Sequence, residues 1–297
     1  MKNAKISVII TTYMRPFEVI ARAIDSALQQ TYRNFEVIVV DDSPQSEERE
    51  QVQQALREHF GDSITYIKNH INLGACASRN IGFQHSVGEY ISFLDDDDEW
   101  LPQKNELLLN GFDSDEIGLV YCTLIPFKDE KQITRTRQLP YEGLVLPQLL
   151  ESNFIGGSSV PMFPRHVLEE CGLFDDKFPA SQDIDLYVRV AMKYKIRYIA
   201  TPLVKYYMTK NSITGSQKRQ MEGRLMLLRK YYAIYQQYPA IRKRYAASIV
   251  SGLLSINEGE QAWNLFKNEC GITSKSLVEF SPFIVKGYIK RLLHWCT

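Results

Sequence analysis

Tyr90-Ile91-Ser92-Phe93-Leu94-Asp95-Asp96-Asp97-Asp98-Glu99-Trp100 joins an apolar run of strand length to five consecutive carboxylates. A short apolar run without polar alternation reads as a strand buried on both faces, the kind found in parallel sheets. The acidic run that follows is electrostatically costly. Neighbouring like charges repel by ~1 kcal/mol in water and by more where the dielectric is lower. A divalent cation would relieve that cost, since Mg2+ and Mn2+ take hard oxygen ligands, commonly one or two carboxylates completed by phosphate and water. A solvated acidic turn that caps the next helix is the alternative. Position decides between them.

Outward from this stretch the same pattern repeats. Lys5–Thr11 (KISVIIT) and Phe35–Val40 (FEVIVV) read as buried strands, and Ile64–Lys68 as a third. Between them lie helices: one opened by Arg15-Pro16 with Ile20, Ala23, Ile24, Ala27 and Leu28 on one face, a polar one to about Phe60, and one over Ala75–Gln84. Alternating strands and helices predict an α/β fold with a parallel, doubly covered sheet. Right-handed crossovers then bring every strand's C-terminal end, with its polar cluster, to one edge. Further on, a helix near Pro102–Phe112, strands at Gly118–Leu124, Ser158–Phe163 and Leu203–Met208, and a helix over Ser181–Lys195 are expected. From Gln217 the chain reads as helical, broken at Pro239, Gly259 and Ser281-Pro282.

Three more clusters carry chemistry. Asp41-Asp42 follows the second strand, where an acidic residue suits a ribose hydroxyl or base edge; Asp42 or Ser43 capping the next helix is the plain alternative. The first turn, Thr11-Thr12-Tyr13-Met14-Arg15-Pro16, has no glycine, so neither a dinucleotide loop nor a Walker A loop is present, and a pyrophosphate must be gripped otherwise, for which a metal plus arginines would serve. Asn72–Gly82 (NLGACASRNIG) supplies Arg79, whose planar fork suits a diphosphate, a surface salt bridge being the alternative. Gln182-Asp183-Ile184-Asp185-Leu186 places two carboxylates in a helix's first turn, either for the macrodipole or as a general base for an acceptor hydroxyl.

Composition bounds the rest. Across 297 residues, 44% hydrophobic and 11% aromatic content supports a packed core. No run approaches the roughly 18 apolar residues of a membrane span. The first residues show no signal-peptide pattern, and Cys76, Cys122, Cys171, Cys270 and Cys296 contain no C-x-x-C pair. Reduced thiols and a cytoplasmic location are expected. The zero net charge hides an asymmetry: residues 1–204 carry 20 Lys and Arg against 30 Asp and Glu, and residues 205–297 carry 15 against 5. Two parts with different partners are expected, neither of them a nucleic-acid binder.

In this order the segments resemble glycosyltransferase family 2. Ser7–Pro16 (SVIITTYMRP), Val40-Asp41-Asp42-Ser43, Asn72–Gly82, Asp95-Asp96-Asp97 as a D-x-D motif, and then Gly156–Val160, Cys171–Asp175 and Gln182–Arg189 carry the likeness, over about residues 5–210. The resemblance implies a GT-A, Rossmann-like, mostly parallel sheet with a helical C-terminal extension. It divides the chain into a catalytic domain over 1–210, with a nucleotide-sugar half at about 1–115 and an acceptor half at about 116–210, and a basic extension over 211–297. Thr11, Tyr13, Arg15, Asp41, Arg79, Asp95 and Asp96 would then hold the nucleotide. Asp97, with Asp95, would hold Mn2+ or Mg2+, and Asp183 would be the base. Trp100 and Asp185 are acceptor candidates, Trp100 equally a core residue. The implied reaction is inverting transfer from a nucleotide-diphosphate sugar, UDP-sugar favoured, to a glycan or lipid-linked acceptor in cell-surface polysaccharide assembly. The chain departs from the family's pattern at Thr11, Met14 and Gln182, and lacks the histidine often found after the last strand.

Residues 283–296 read as an amphipathic helix, with Val285, Tyr288, Ile289, Leu292 and Cys296 on one side and Lys286, Lys290 and His294 on another. It suits either the inner face of an anionic membrane or packing on the protein. A sugar nucleotidyltransferase is the rival enzyme, though Thr11–Pro16 lacks its glycine-rich loop. A catalytically inactive nucleotide-sugar-binding protein is the rival from another class.

Overall fold

The computed structural model describes residues 3–128, 131–133, 140–208, 216–270 and 279–287. The chain forms two compact units. Unit 1 is Met1–Val145, Phe154–Asp176 and Leu186–Thr209; unit 2 is Leu146–Asn153, Lys177–Asp185 and Lys210–Thr297.

In unit 1, β1 (Ile6–Thr12), β2 (Phe35–Asp41), β3 (Thr65–Lys68) and β4 (Tyr90–Asp95) run parallel. They alternate with α1 (Phe17–Leu28), α2 (Glu47–Phe60) and α3 (Ala75–Gln84). Ile6, Val8, Ile9 and Ile10 are fully buried, as a strand covered on both faces requires. The register sets the polar clusters side by side: Thr12 opposite Asp41, Thr11 opposite Asp95, and Asp41 opposite Lys68. Two glycines make the third cluster possible. Gly74 caps α3 at φ 86, in the left-handed region that suits a residue without Cβ. A Cβ on Gly82 would meet Ile9 Cγ2 at 2.3 Å, so its absence lets α3 lie against β1.

The unit continues through β5 (Glu99–Trp100), α4 (Lys104–Asn110), β6 (Ile117–Lys128), β7 (Lys131–Gln132), β8 (Met162–Pro164), α6 (Arg165–Cys171) and β9 (Lys195–Tyr207). Among the described residues the sheet order is β3-β2-β1-β4-β8-β6-β9-β5, with β7 beside β6. It is mostly parallel, as expected, but not every strand ends at the active edge. β8 runs antiparallel to β4 and β6, and β5 antiparallel to β9. Other boundaries also moved. β9 begins at Lys195 rather than Leu203 and passes Pro202 through irregular register against β6, where a bulge absorbs the missing N–H. Ser158 and Ser159 lie outside β8 because their hydroxyls serve the acidic turn.

In unit 2, α5 (Leu146–Glu151), α8 (Gln217–Lys230), α9 (Tyr232–Gln237), α10 (Pro239–Ser255), α11 (Gly259–Cys270) and helical residues 279–287 assemble a core from Leu149, Leu225, Leu228, Ile249, Leu253, Phe266 and Phe280. Tyr235 stacks on Tyr245 and donates its hydroxyl to the Leu150 carbonyl at 2.7 Å, tying α5 into the bundle. α7 (Gln182–Ala191) starts in unit 2 and finishes in unit 1. Cys76, Cys122, Cys171 and Cys270 form no disulfide among the described residues; Cys171 is part-exposed and the other three are buried, and Cys296 lies outside the described residues. The amphipathic reading of 283–296 lies outside them from Tyr288 onward.

Candidate active site

The C-terminal ends of β1, β2 and β4 build the site of unit 1. The first loop is clamped from below. Met14, at φ 52, donates its N–H to Ser43 Oγ at 2.8 Å, and the buried Arg49 donates to the Arg15 carbonyl at 2.6 Å. This leaves Tyr13 half exposed and turns the Arg15 guanidinium onto the acidic run: Nε to Asp96 at 3.1 Å and Nη2 to Asp97 at 2.7 Å. Arg79, one turn inside α3, pairs with Asp95 at 2.6 Å and lies over the Phe174 ring. Ser158 also donates to Asp95 at 2.8 Å. Thr11, Tyr13, Arg15, Arg79, Asp95, Asp96 and Asp97 thus all belong to this edge.

Asp41 is 2% exposed. Its carboxylate accepts from the Ser43 N–H at 2.8 Å, the Tyr66 hydroxyl at 2.6 Å and Lys68 at 3.2 Å. Burial alone would raise its pKa, but these hydrogen bonds and the Lys68 charge hold it below the usual carboxylate range. Asp42 does not cap α2; Ser46 does, accepting from the Arg49 N–H. Asp42 instead accepts from Asn69, Leu73 and Gly74, and so shapes the loop that opens α3.

The five carboxylates do not act as one cluster. Asp98 turns inward and is 1% exposed, accepting from the Ser159 hydroxyl at 2.5 Å and the Tyr207 N–H at 3.2 Å. Burial, reinforced by Asp95 and Asp97, pushes its carboxyl well above the ordinary value. Glu99 pairs with Lys205 at 2.6 Å and accepts from the Tyr207 hydroxyl. Asp96, 7% exposed, is pushed up by burial to about 6 despite Arg15. Among the described residues no group of three or more His, Cys, Asp or Glu is arranged to hold a metal. Asp95 and Asp97 nonetheless fit one as a minimal donor set. They are hard oxygen donors on one short turn, and the charges of Asp95 and Asp97 add to the burial that raises Asp96 and Asp98, a repulsion a dication would relieve.

Two acceptor candidates are corrected. Trp100 is 2% exposed, its indole donating to the Ser159 carbonyl at 2.9 Å and its ring covered by Lys104 Nζ at 3.8 Å, so no face is left for a sugar. Asp185 is fully buried in unit 2, paired with Lys230 at 2.7 Å and accepting from the Tyr231 hydroxyl at 2.7 Å. Asp183, also in unit 2, is half-buried and accepts from Asn153 Nδ2 at 3.1 Å.

Several residues escaped sequence reasoning. Arg22, in the second turn of α1, donates to the Asp97 carbonyl at 3.0 Å and stacks over Tyr207 at 4.0 Å. Ser158 and Ser159 fall in the Gly156–Val160 segment, but nothing local announced what their hydroxyls do, and nothing announced Arg49 or Asn153; these partners lie between 30 and 64 residues away.

Comparison with known proteins places this geometry. Residues 7–172 match the family described as Glycosyl transferase family 2. The glycosyl transferase WcaA of Escherichia coli K12, named for colanic acid biosynthesis, is 32% identical over 285 residues, covering 87% of this chain and 96% of that protein. Staphylococcus aureus TarS 1–349, solved in complex with UDP-GlcNAc, superposes with a TM-score of 0.66 at 13% identity, over 97% of this chain and 89% of that one. Against the longer solved TarS chain, this protein spans 54% of the length. The mannosyltransferase PcManGT of Pyrobaculum calidifontis, solved with GDP-Man and Mn2+, superposes with a TM-score of 0.59 at 17% identity, over 97% and 86%. At such identities the two superpositions speak for the fold, which is GT-A with a helical C-terminal part. The family match covers more than half of the sequence and the WcaA alignment most of it: this chain belongs to glycosyltransferase family 2 and is a transferase enzyme.

Proposed function

We propose that the protein transfers a sugar from a nucleotide-diphosphate sugar, UDP-sugar favoured, to a hydroxyl of a glycan or lipid-linked acceptor, with inversion, in cell-surface polysaccharide assembly. The carrying observation is the pairing of Arg15 with Asp96 and Asp97, and of Arg79 with Asp95, at the ends of adjacent parallel strands. Each pair joins a group suited to phosphate with a group suited to a cation. A nucleotide diphosphate and its counter-ion can satisfy the same partners by exchange. WcaA's name and the sugar nucleotides bound to TarS and PcManGT support the donor and pathway class.

Thr11 and Tyr13 line the nucleotide pocket in this reading, Asp41 faces the base, and Asp95 and Asp96 lie near the ribose. Arg15 and Arg79 neutralise the diphosphate through charge-assisted hydrogen bonds. Asp97, with Asp95, would hold Mn2+ or Mg2+, which supplies positive charge for the departing diphosphate. Asp183 takes the proton as the acceptor oxygen bonds to the anomeric carbon and the carbon–diphosphate bond breaks. The one displacement inverts the configuration. The nucleotide-sugar half is assigned to about 1–115, the acceptor half to about 116–210, and the basic extension to 211–297.

The extension supports a location on the inner face of the cell membrane through 283–296, with Val285 and Lys286 exposed. No helix among the described residues is long and apolar enough to cross a membrane. Incubation with UDP-, GDP- and dTDP-sugars plus Mn2+, with and without acceptor extracts, tests the reading through release of free nucleotide. Release that disappears in Asp97→Ala and in Asp183→Asn supports it. Turnover that survives Asp97→Ala removes the metal assignment, and turnover that survives Asp183→Asn removes the base.

A further inference from the structure

Unit 2 contains a buried charge that the reaction as described does not use. Asp185 has no exposed surface, yet it keeps a carboxylate bonded to Lys230 Nζ at 2.7 Å and to the Tyr231 hydroxyl at 2.7 Å. Lys230 is the last residue of α8 and Tyr231 its C-terminal cap. Lys230 also lies over the Phe178 ring at 5.0 Å, in the segment leading to α7. The first turn of α7 is closed by Asp185 N–H donating to the Ser181 carbonyl at 3.1 Å, with Ser181 itself at φ 65.

Helix geometry connects this anchor to Asp183. Residues two apart are separated by about 200° around an axis with 3.6 residues per turn. Fixing Asp185 inward therefore turns Asp183 to the opposite side, where it is half-buried and held by Asn153 Nδ2 at 3.1 Å and the Ile184 N–H at 2.8 Å. An apolar residue at 185 would fill space without fixing a direction. A carboxylate bound by a cation and a hydroxyl from another helix fixes it, because burial penalises any rotation that parts the charges.

We propose that Lys230 and Tyr231 are positioning residues: by holding Asp185 they set the rotation of the first turn of α7 and aim the carboxylate of Asp183. The basic C-terminal helices then contribute to the chemistry itself. This rests on the reading of Asp183 as the base.

The test uses the full chain with the sugar nucleotide that proves to be turned over, measuring kcat, donor KM, the thermal shift produced by UDP and GDP, and melting without ligand. In Tyr231→Phe and Lys230→Met, kcat is expected to fall roughly tenfold or more, as misaimed catalytic groups do, while donor KM and nucleotide binding stay unchanged. Lys230→Arg, which restores the cation, should recover most of the loss. If kcat stays within about twofold of wild type in Tyr231→Phe and in every folded Lys230 variant, the proposal is overturned, since realignment costs far more. It is equally overturned if kcat and nucleotide binding fall together, or if Lys230→Arg is as poor as Lys230→Met. Should Lys230→Met not fold, Tyr231→Phe, which removes one oxygen, decides by the same criteria. A fully active Asp183→Asn would overturn the base reading and this proposal together. A silent Tyr231→Phe beside an inactive Asp183→Asn would overturn this proposal alone.

Discussion

The acidic turn of unit 1 and the Asp183-x-Asp185 turn of unit 2 are built on one plan with different counter-charges. Each contains a carboxyl with almost no exposed surface, Asp98 in the first and Asp185 in the second. Each also presents a neighbour that is more accessible, Asp97 or Asp183. Asp98 is held by a serine hydroxyl and a backbone N–H, and burial beside Asp95 and Asp97 drives it toward the neutral acid. Asp185 is held by a full cation. The difference follows from the surroundings. Where several carboxylates crowd, the inward one is cheapest as an acid, whereas an isolated one can keep its charge if a lysine comes with it. In both turns the visible acidic motif mixes a buried carboxyl with a more accessible one, and only packing separates them.

The largest expected effect breaks the comparison at its working end. Asp183→Asn keeps the shape of the side chain but not its basicity, and kcat should fall by about 10²- to 10⁴-fold with donor KM little changed, the range general-base removal produces. Steady-state kinetics with saturating acceptor checks it. A comparable loss in donor KM would assign Asp183 to binding instead.

Next come the two arginines of the acidic turn, Arg15 and Arg79. In the proposed reading Arg15→Met and Arg79→Met each remove a charged hydrogen bond to the diphosphate, worth about 1.5–3 kcal/mol, so donor KM should rise roughly tenfold to a hundredfold. Isothermal titration with the nucleoside diphosphate measures this directly. Unaltered affinity would leave both arginines as partners of the aspartates alone.

The pH dependence of stability sharpens the contrast between a crowded and an isolated carboxylate. Asp96 has a folded pKa raised to about 6, above its unfolded value. The folded state therefore holds its proton more tightly. Its contribution is fully present below the unfolded pKa and is lost as pH rises through about 6. In EDTA, urea unfolding at pH 4.5 and 7 should show Asp96→Asn gaining on wild type by about 2 kcal/mol as pH rises, at 1.36 kcal/mol per pKa unit, the rest of the shift's value being lost already below pH 4.5. A pH-independent difference would mean that Arg15 fully compensates the burial.

The smallest effect concerns Lys104, the buried cation that lacks what Lys230 has. It is fully buried, its amine has no hydrogen-bond partner among the described residues and rests on the Trp100 ring, and burial lowers its pKa to about 8. Lys104→Met should be neutral or stabilising within about 1 kcal/mol, because methionine fills the volume without the desolvation cost. Melting at pH 7 tests it. A strong loss of stability would show that the cation–π contact outweighs that cost.

Much of unit 1 was legible because its signals are local. The continuous apolar runs of β1, β2 and β4 require burial on both faces, and Gly74 requires the turn before α3, so α3 was expected over the residues it occupies. The ends of the strands put Thr11, Asp41 and Asp95 at one edge, and the register sets Thr11 opposite Asp95 and Thr12 opposite Asp41. The less legible parts depend on distant partners. Ser158 and Ser159 read as strand residues because nothing nearby reveals that their hydroxyls reach Asp95 and Asp98 across more than sixty positions. Trp100 could not be told from an exposed platform until Lys104 and Ser159 covered it.

By itself the sequence determined the alternating α/β order, the edge where polar loops gather, and the residue types available there, because hydrophobic period and turn chemistry act over a few residues. The tertiary structure alone decided which carboxylates of each acidic run face inward, that β8 and β5 run against their neighbours, and that Asp185 shares a unit with Lys230 and Tyr231. A carboxylate's role follows from its burial and its counter-charge, and both are supplied by residues far along the chain.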